Sequence, residues 1–112
     1  MHKFFNKIIN NDSLEVLRKI PNNTFDLIFA DPPYNLQIGK KLTRPDNSKV
    51  NGVNDDWDNF KNFSEYDNFC KKWLAECRRV LKENGSIWVI GTYHNIFRLG
   101  FHIQNMDYWI LN

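Results

Sequence analysis

The feature that most constrains this chain is the apolar run 25–30, Phe-Asp-Leu-Ile-Phe-Ala, which is followed at once by Asp31 and two prolines. Such a run predicts a buried β-strand. The strand must end at Asp31, because proline has no N–H to donate to a neighbouring strand. In an open α/β sheet, ligands bind just beyond the carboxyl ends of the strands. The sequence therefore places an acid, two rigid carbonyl groups and the ring of Tyr34 where ligand chemistry usually occurs.

The residues before this strand predict a short strand and a helix. Residues 7–10 are a weak strand candidate, and the segment 11–13, Asn-Asp-Ser, supplies the N-cap chemistry of a helix. Pro21 follows the end of that helix, so the chain begins as strand, helix, strand. This order is typical of a βαβ unit with a right-handed crossover, and it predicts an α/β fold.

The second half of the chain predicts a further helix, strand and helix. Apolar residues at helical spacing predict a helix over residues 64–82, with Ser64 as its N-cap and Asn84–Gly85 as a left-handed C-terminal cap. Residues 86–90 predict a second buried strand, and residues 108–111 predict the beginning of another. Between them we expect a helix of about ten residues, with an inward face made of Ile96, Phe97, Phe101 and Ile103.

Composition places few limits on function. A net charge of +2 over 112 residues is too small to demonstrate a nucleic-acid partner. No apolar run approaches the roughly 20 residues that a membrane-spanning helix requires, so no membrane partner is expected. Cys70, Cys77 and His94 lack metal-ligand spacing, and no metal site is predicted. We expect both cysteines to be reduced and buried in a cytosolic protein.

The Asp31-Pro32-Pro33-Tyr34 motif, directly after a Leu-Ile-Phe-Ala strand, resembles the catalytic motif of amino-group methyltransferases that use S-adenosylmethionine. Longer runs resemble one narrower group, the cell-cycle-regulated DNA adenine-N6 methyltransferases of the permuted β class; these runs are 42–50, 55–58, 88–98 and 108–112. The resemblance extends from about residue 8 to residue 112. It implies methyl transfer to adenine N6 in duplex DNA, at GANTC, by a cytoplasmic, nucleoid-associated enzyme.

The resemblance also assigns catalytic roles, which fall to Asp31, Pro32, Pro33 and Tyr34. An exocyclic adenine nitrogen is a poor nucleophile, because its lone pair is delocalised into the ring. The Asp31 carboxylate and the Pro32 carbonyl would accept its two hydrogens, localise the lone pair and stabilise the positive charge that grows on nitrogen. Tyr34 would stack on the base after it is flipped out of the duplex.

Further roles implied by the resemblance concern the cofactor and the DNA. Asp12, Ser13 and Asp31 are the candidate contacts to S-adenosylmethionine, although Asp12 is equally well explained as a plain N-cap. The long irregular stretch 36–63 is either a solvated linker or a loop that orders on DNA and closes over the target base. Tyr93 and His94 are either DNA contacts or a packed aromatic and a surface histidine. The candidate DNA contacts are Asn35, Lys40, Lys41, Arg44, Asn47, Ser48, Lys49, Tyr93 and His94.

The Gly-rich turn with which the family cradles the methionine part of the cofactor does not occur in this sequence. In the permuted class it lies downstream, so we expect the N-terminal part of a larger enzyme. The expected fold is a partial Rossmann-like methyltransferase fold, with a mostly parallel sheet flanked by helices and incomplete without downstream strands. The family's sheet order is 3-2-1-4-5-7-6, and the resemblance assigns strands 3, 4, 5 and the start of the next to this chain. Strands 1 and 2 would lie between the strands at 7–10 and 25–30, which without them either pair directly or leave a gap. The full-length enzyme could form a homodimer.

Three other functions remain open at this point. N4-cytosine methyltransferases share the motif but more often carry serine before the two prolines, which argues against them at Asp31. Methylation of RNA or protein amines is a second alternative, against which the 42–58 segment argues. The third is a non-catalytic DNA-interaction or subunit fragment, which the missing Gly-rich turn favours for these 112 residues alone.

Overall fold

The structure of the protein is a computed structural model that describes residues 2–36, 45–48 and 58–112. Within these ranges the chain forms a 3₁₀ helix at His2–Phe4, helix α1 at Ser13–Arg18, strand β1 at Phe25–Ala30, helix α2 at Phe63–Val80, strand β2 at Leu81–Val89 and helix α3 at Ile96–Asn105. The alternation of helices and strands confirms the predicted α/β class. Most of the predicted 36–63 loop, at 37–44 and 49–57, lies outside the described residues.

Strands β1 and β2 pair in parallel, and they form the two-stranded sheet of the described part of the chain. In the register, Ala30 lies opposite Val89, and one more backbone bond joins Ile90 N to the Ala30 carbonyl at 2.9 Å. The pair is parallel, as the predicted mostly parallel sheet requires. Because parallel strands end at the same edge of a sheet, the segments 31–36 and 90–95 leave it as neighbours.

Helix α2 supplies most of the hydrophobic core. Its buried side chains recur every three or four residues, as the apolar stripe in the sequence predicts; they are Tyr66, Cys70, Trp73, Leu74, Cys77 and Val80. Leu17 of α1, Leu99 of α3, and Ile28 and Val89 of the sheet pack against this stripe. Burying one such large apolar side chain stabilises the fold by about 1.5–3 kcal/mol. The three helices and one face of the sheet thus share a single core.

The opposite face of the sheet is apolar and exposed. Leu27, Phe29 and Trp88 retain 58%, 66% and 61% of their accessible surface. A continuous apolar run is typical of a strand that is covered on both faces. The two strands were predicted to be buried, and this is correct for only one face of the sheet. The described residues place helices on that face alone.

Helix α2 does not begin where the sequence predicts. The predicted N-cap, Ser64, is wrong: the cap is Asn62, whose Oδ1 accepts a hydrogen bond from Glu65 N at 2.9 Å. Asparagine and serine cap helices about equally well, so local sequence does not choose between them. The Phe63 ring lies 3.8 Å from the guanidinium carbon of Arg98 on α3. That contact favours the earlier start, which includes Phe63 in the helix.

The predicted end of α2 is also wrong, because sheet formation replaces the expected local cap. The helix ends at Val80, and its last carbonyls accept hydrogen bonds from the turn before β1, at 3.0 Å from Asn23 N and 2.7 Å from Thr24 N. The next residue, Leu81, pairs with Phe25 in the sheet. Residues 81–85 therefore belong to β2 rather than to the helix and its cap.

Gly85 has a different role from the predicted left-handed cap. No described glycine has a positive φ. A Cβ on Gly85 would lie 3.0 Å from the Lys82 carbonyl oxygen and 3.1 Å from that of Phe25. Glycine is needed here because the two strands approach closely at the irregularity in their register, between Phe25 and Leu27.

Two predicted strands do not form in the described part of the chain. Residues 7–10 and 108–111 have no regular structure, and Ile8 and Trp109 are 102% and 87% exposed. A short apolar segment forms a strand only where a neighbour accepts its backbone hydrogen bonds. Tyr108 turns inward instead, and its hydroxyl donates to the Leu74 carbonyl at 2.8 Å.

Helix α3 has the predicted length, but its predicted inward face is largely wrong. Of the four residues expected to face inward, Ile103 packs against the core, whereas Ile96, Phe97 and Phe101 are exposed. The helix buries Leu99 and His102 instead. Polar contacts with α2 explain this orientation, since Asp67 lies 2.7 Å from Arg98 and 3.3 Å from His102 Nε2.

Arg79 ties α1 to α2. Its guanidinium donates to the carbonyls of Leu17 and Ile20, at 2.7 and 2.8 Å, and pairs with Glu76 at 2.7 Å. Basic side chains at the end of a helix stabilise the carbonyls that have no partner within it. No helix in the described ranges is both long and apolar enough to cross a membrane.

Candidate active site

The turn that follows β1 places Asp31 and Tyr34 in contact. Asp31 is exposed, and the Tyr34 hydroxyl donates a hydrogen bond to Asp31 Oδ1. This bond raises the pKa of Tyr34, because the phenolic proton is shared with a carboxylate. The motif predicted from the sequence therefore forms a local unit at the carboxyl end of the strand, with its carboxylate open to solvent.

A buried acid, Asp58, holds the far end of this turn. Its two carboxylate oxygens accept hydrogen bonds from Asn35 N at 2.8 Å and from Leu36 N at 2.9 Å. Asp58 is 3% exposed, although its charge would favour water. Asn35 has a φ of 57°, in the left-handed region that asparagine tolerates better than most residues. The two charge-assisted bonds stabilise this conformation.

A second buried group holds the middle of the turn. The Tyr66 hydroxyl donates to the Pro33 carbonyl at 2.7 Å and accepts from Asn95 Nδ2 at 3.0 Å. Asn95 in turn accepts at Oδ1 from Thr92 N at 2.7 Å. Tyr66 and Asn95 are 0% and 1% exposed. Burial raises the pKa of Tyr66, so its hydroxyl stays protonated and remains a donor at neutral pH.

Gly91 permits the close packing of Asn95 at the tip of β2. A Cβ at Gly91 would lie 2.8 Å from Ile96 Cδ1 and 3.2 Å from Asn95 Oδ1. The absent side chain therefore makes room for this chain's own residues and does not form a ligand cradle.

Tyr93 and His94 follow β2 at the same edge of the sheet. Their rings stack at 4.2 Å, and His94 N donates to Thr92 Oγ1 at 3.2 Å. Tyr93 is 78% exposed, which makes the expectation of a packed aromatic wrong. The predicted DNA contact of these two residues stays a prediction.

Asp12 and Ser13, the predicted cofactor contacts, lie at the start of α1. Asp12 is its N-cap, and Asp12 Oδ1 accepts from Leu14 N at 2.8 Å and Glu15 N at 3.2 Å. The N-cap interpretation is thereby confirmed. Asp12 and Ser13 are exposed, and no hydrogen bond joins either of them to Asp31.

The remaining predicted DNA contacts divide into two sets. Asn47 and Ser48 are in a short described turn, where Ser48 N and Oγ donate to Asp46 Oδ1 at 2.9 and 2.6 Å. These bonds lower the pKa of Asp46. Four basic candidates lie outside the described residues: Lys40, Lys41, Arg44 and Lys49.

The described residues do not fit a complete site for S-adenosylmethionine. Asp12 has one carboxylate oxygen left over after capping α1, which suits an amino group. The three described glycines, however, form no cradle, since Gly85 and Gly91 approach this chain's own atoms and Gly100 lies on α3 with open space around it. No group of acidic, histidine or cysteine side chains within the described ranges could hold a metal ion.

Sequence reasoning missed the three buried polar residues around the turn. The sequence places Asp58 and Asn95 only within runs that resemble a family, 55–58 and 88–98, and Tyr66 only within the predicted helix 64–82. The signal that could have revealed Tyr66 and Asn95 is a tyrosine on the buried face of a helix together with an amide after a strand. Buried hydroxyls and amides need hydrogen-bond partners, so each predicts a polar neighbour.

Comparisons with known proteins show the family of the chain. The family model described as DNA methylase, which takes in N6 and N4 methyltransferases, matches residues 25–112. The chain is 53% identical to the Type II methyltransferase M.HinfI of Haemophilus influenzae over 112 residues, and 38% identical to the Type II methyltransferase M2.LlaDCHI of Lactococcus lactis subsp. cremoris over 105 residues. These matches cover 100% and 94% of this chain but 31% and 39% of the relatives, so the chain spans about a third of their length. Because the family model matches most of its residues, the chain belongs to the DNA methylase family.

Proposed function

We propose that this chain is the part of a site-specific DNA-methyltransferase that receives the target base, and that the whole enzyme methylates adenine N6 in duplex DNA. The observation that carries the proposal is the turn after β1, where the Asp31 carboxylate is solvent-open beside Tyr34. Membership of the DNA methylase family and the Type II methyltransferase relatives support DNA methylation in a restriction–modification setting.

The chemistry that these residues offer concerns the amine. The Asp31 carboxylate and the Pro32 carbonyl accept hydrogen bonds from the two amino hydrogens. These bonds localise the lone pair of the nitrogen and stabilise the positive charge that develops on the nitrogen. Two prolines fix the backbone φ angles around the second acceptor, so little freedom is left to lose at the moment of reaction. When bound, S-adenosylmethionine, the family's methyl donor, would supply the methyl group as its sulfonium S–C bond breaks, and the methylated nitrogen would then release one proton to water.

Base capture is assigned to two aromatic residues at the same edge of the sheet, the half-buried Tyr34 and the exposed Tyr93. Flipping a base out of a duplex costs a few kcal/mol. Stacking on an aromatic ring returns about 1–3 kcal/mol per base. Tyr34 provides such a ring in the turn, and Tyr93, 78% exposed, provides another after β2. Basic residues between 40 and 49 would add contacts to phosphate.

We propose adenine as the target base and GANTC as the recognition site. The residue runs 42–50 and 55–58 support both through their resemblance to the cell-cycle-regulated adenine-N6 group. N4-cytosine methylation is the alternative, because the family model takes in both reactions. Aspartate before the two prolines favours adenine. Duplex DNA in the cytoplasm, at the nucleoid, is the corresponding partner and location. A homodimer of the whole enzyme remains a prediction.

The test uses the full-length protein, unmethylated plasmid DNA and labelled S-adenosylmethionine. After reaction, the DNA is digested to nucleosides, which separates N6-methyladenine from N4-methylcytosine. We expect label in N6-methyladenine, and we expect it only in plasmids that contain GANTC. Label in N4-methylcytosine would overturn the adenine assignment, and label in a GANTC-free plasmid would overturn the site.

The same assay tests the role of Asp31. Asp31→Ala removes one acceptor and leaves the strand and the prolines in place. Loss of a single preorganised group of this kind costs on the order of 10²–10³ in rate. We expect that loss in methyl transfer, with DNA affinity at fixed salt nearly unchanged, because the interaction is made mainly in the transition state. Full activity of Asp31→Ala would remove its catalytic assignment.

A further inference from the structure

We propose that Asp58, Tyr66 and Asn95 form a positioning frame that sets the direction of the backbone carbonyls in the turn 31–36. The inference rests on the proposed function, since it concerns how that turn is held for methyl transfer. None of the three side chains reaches the solvent-open side of the turn: they are 3%, 0% and 1% exposed. They are positioning residues and not catalytic ones.

The contact between Tyr66 and Pro33 fixes one peptide plane of the turn. The Tyr66 hydroxyl approaches from the core side and donates to the Pro33 carbonyl oxygen at 2.7 Å. In residues 2–36, 45–48 and 58–112, no donor is bonded to the neighbouring Pro32 carbonyl. With φ fixed at both prolines, holding one carbonyl inward restricts the direction of the other. The frame thus leaves the Pro32 carbonyl as the acceptor for an amine.

Asn95 extends the frame to the tip of β2. It donates to the Tyr66 hydroxyl at 3.0 Å, so the phenolic proton must point at Pro33. Its own oxygen is bound by Thr92 N at 2.7 Å, which fixes the orientation of the amide. The turn after β1 and the turn after β2 are thereby joined through two side chains that are almost fully buried.

Asp58 fixes the other end of the turn by binding the N–H groups of Asn35 and Leu36 with one oxygen each, at 2.8 and 2.9 Å. Packing alone does not explain these residue types, because a phenylalanine would fill the space of Tyr66 without a polar atom to satisfy. Burying polar groups is unfavourable unless each is bonded. Here three of them are buried, and two directly bind the backbone of the same turn.

The experiment compares two isosteric substitutions in the full-length protein. Tyr66→Phe removes the hydroxyl that binds Pro33. Tyr108→Phe is the matched control, because the Tyr108 hydroxyl likewise donates to a backbone carbonyl, that of Leu74 at 2.8 Å, but away from the turn. For each variant, kcat and KM for unmethylated plasmid DNA are measured along with the thermal midpoint of unfolding.

We expect the two variants to lose similar thermal stability, whereas kcat falls by about 10- to 100-fold in Tyr66→Phe alone, the scale expected for misplacement of a reacting group. KM should stay within about twofold in both. Equal kcat values in the two variants would overturn the inference, and so would a fall in kcat matched by an equal rise in KM. An unmodified protein that methylates no DNA would instead refute the proposed function.

A second pair of variants tests the frame at Asp58. Asp58→Asn keeps the shape of the side chain but places an NH₂ group against one of two N–H donors. Asp67→Asn is its control, since Asp67 joins α2 to α3 through Arg98 and His102. We expect a fall in kcat for Asp58→Asn that exceeds the fall for Asp67→Asn by about tenfold or more. Similar values for both would exclude a positioning role for Asp58.

Discussion

At the scale of single residues, the hydrogen bond between Tyr34 and Asp31 uses an acceptor that the proposed target amine also needs. A carboxylate has two oxygens and about four acceptor positions, so the contact does not block Asp31 completely. It does require Tyr34 to share or release that oxygen when a base enters. The hydroxyl and the ring of Tyr34 therefore have separable effects.

Tyr34→Phe should retain methyl transfer within about fivefold, because it keeps the stacking face and only removes a competitor for Asp31. Tyr34→Ala should weaken capture of the flipped base and lower the rate of methyl transfer, since stacking is worth about 1–3 kcal/mol. Tyr34→Trp should keep part of each. Single-turnover methylation and DNA affinity at fixed salt distinguish these variants, and equal losses in Tyr34→Phe and Tyr34→Ala would assign the main role to the hydroxyl.

The sequence was sufficient to predict Asp31, Tyr34 and the strand before them, because a strand followed by two prolines is local information. It was insufficient for Asp58, Tyr66 and Asn95. Apart from Thr92, which is close to Asn95 in the turn after β2, their partners are 22 to 33 residues away in the chain. A tyrosine on a buried helical face predicts that a polar partner exists, but only the packing of α2 against the turn identifies it.

At the scale of elements, the N-terminus of α2 offers a direct comparison of two capping residues. Asn62→Ala should destabilise the protein by about 1 kcal/mol, because it removes the acceptor for Glu65 N. Ser64→Ala should change stability by less than about 0.5 kcal/mol, since Ser64 is exposed within the first turn of α2. Denaturant unfolding of both variants measures this. A larger loss in Ser64→Ala would restore the cap predicted from sequence.

Helix α2 also carries two buried thiols whose ionisation opposes folding. Burial raises the pKa of Cys70 and of Cys77 from 9.0 to about 11. The folded state therefore binds these protons more tightly than the unfolded state. The corresponding stability is fully present below about pH 9 and is lost as the pH rises towards 11.

Denaturant unfolding between pH 8 and pH 11 should show this loss. The variant Cys70→Ala/Cys77→Ala should show a smaller loss over the same range. It keeps a residual part, because burial also raises the pKa of Tyr66 and Tyr108. An identical pH dependence in the variant and the unmodified protein would contradict this prediction.

The type of a secondary-structure element was easier to predict from the sequence than its boundaries. The stripe on α2 and the two central strands are strong periodic or apolar signals, and all three form. The errors lie where tertiary contacts decide: β2 extends to Leu81 because of pairing with Phe25, and α3 turns towards Asp67. Residues 7–10 and 108–111 lack a neighbouring strand among the described residues, so their apolar character does not produce one.

At the scale of the whole molecule, the described residues form one helical layer on one face of a parallel sheet. Parallel sheets in α/β proteins are normally covered on both faces. The exposed Leu27, Phe29 and Trp88 mark the face that has no layer here. The described residues therefore contain the turn that we propose binds the target amine, but few of the contacts that a cofactor site requires.

Residues 1–112 alone should therefore bind S-adenosylmethionine weakly or not at all. The described glycines provide no close backbone approach for the methionine part, and the Asp12 carboxylate offers a single contact to an amino group. One such hydrogen bond, even to a charged group, is worth about 1.5–3 kcal/mol, whereas micromolar affinity requires about 8 kcal/mol.

Titration calorimetry of residues 1–112, with the full-length protein as the positive control, measures the difference in affinity for S-adenosylmethionine. The residues should first be shown to be folded, by cooperative unfolding, so that absent binding reports the site and not the fold. Micromolar binding by residues 1–112 would contradict the prediction and would place a cofactor cradle within this chain, whereas binding by the full-length protein alone would place it elsewhere.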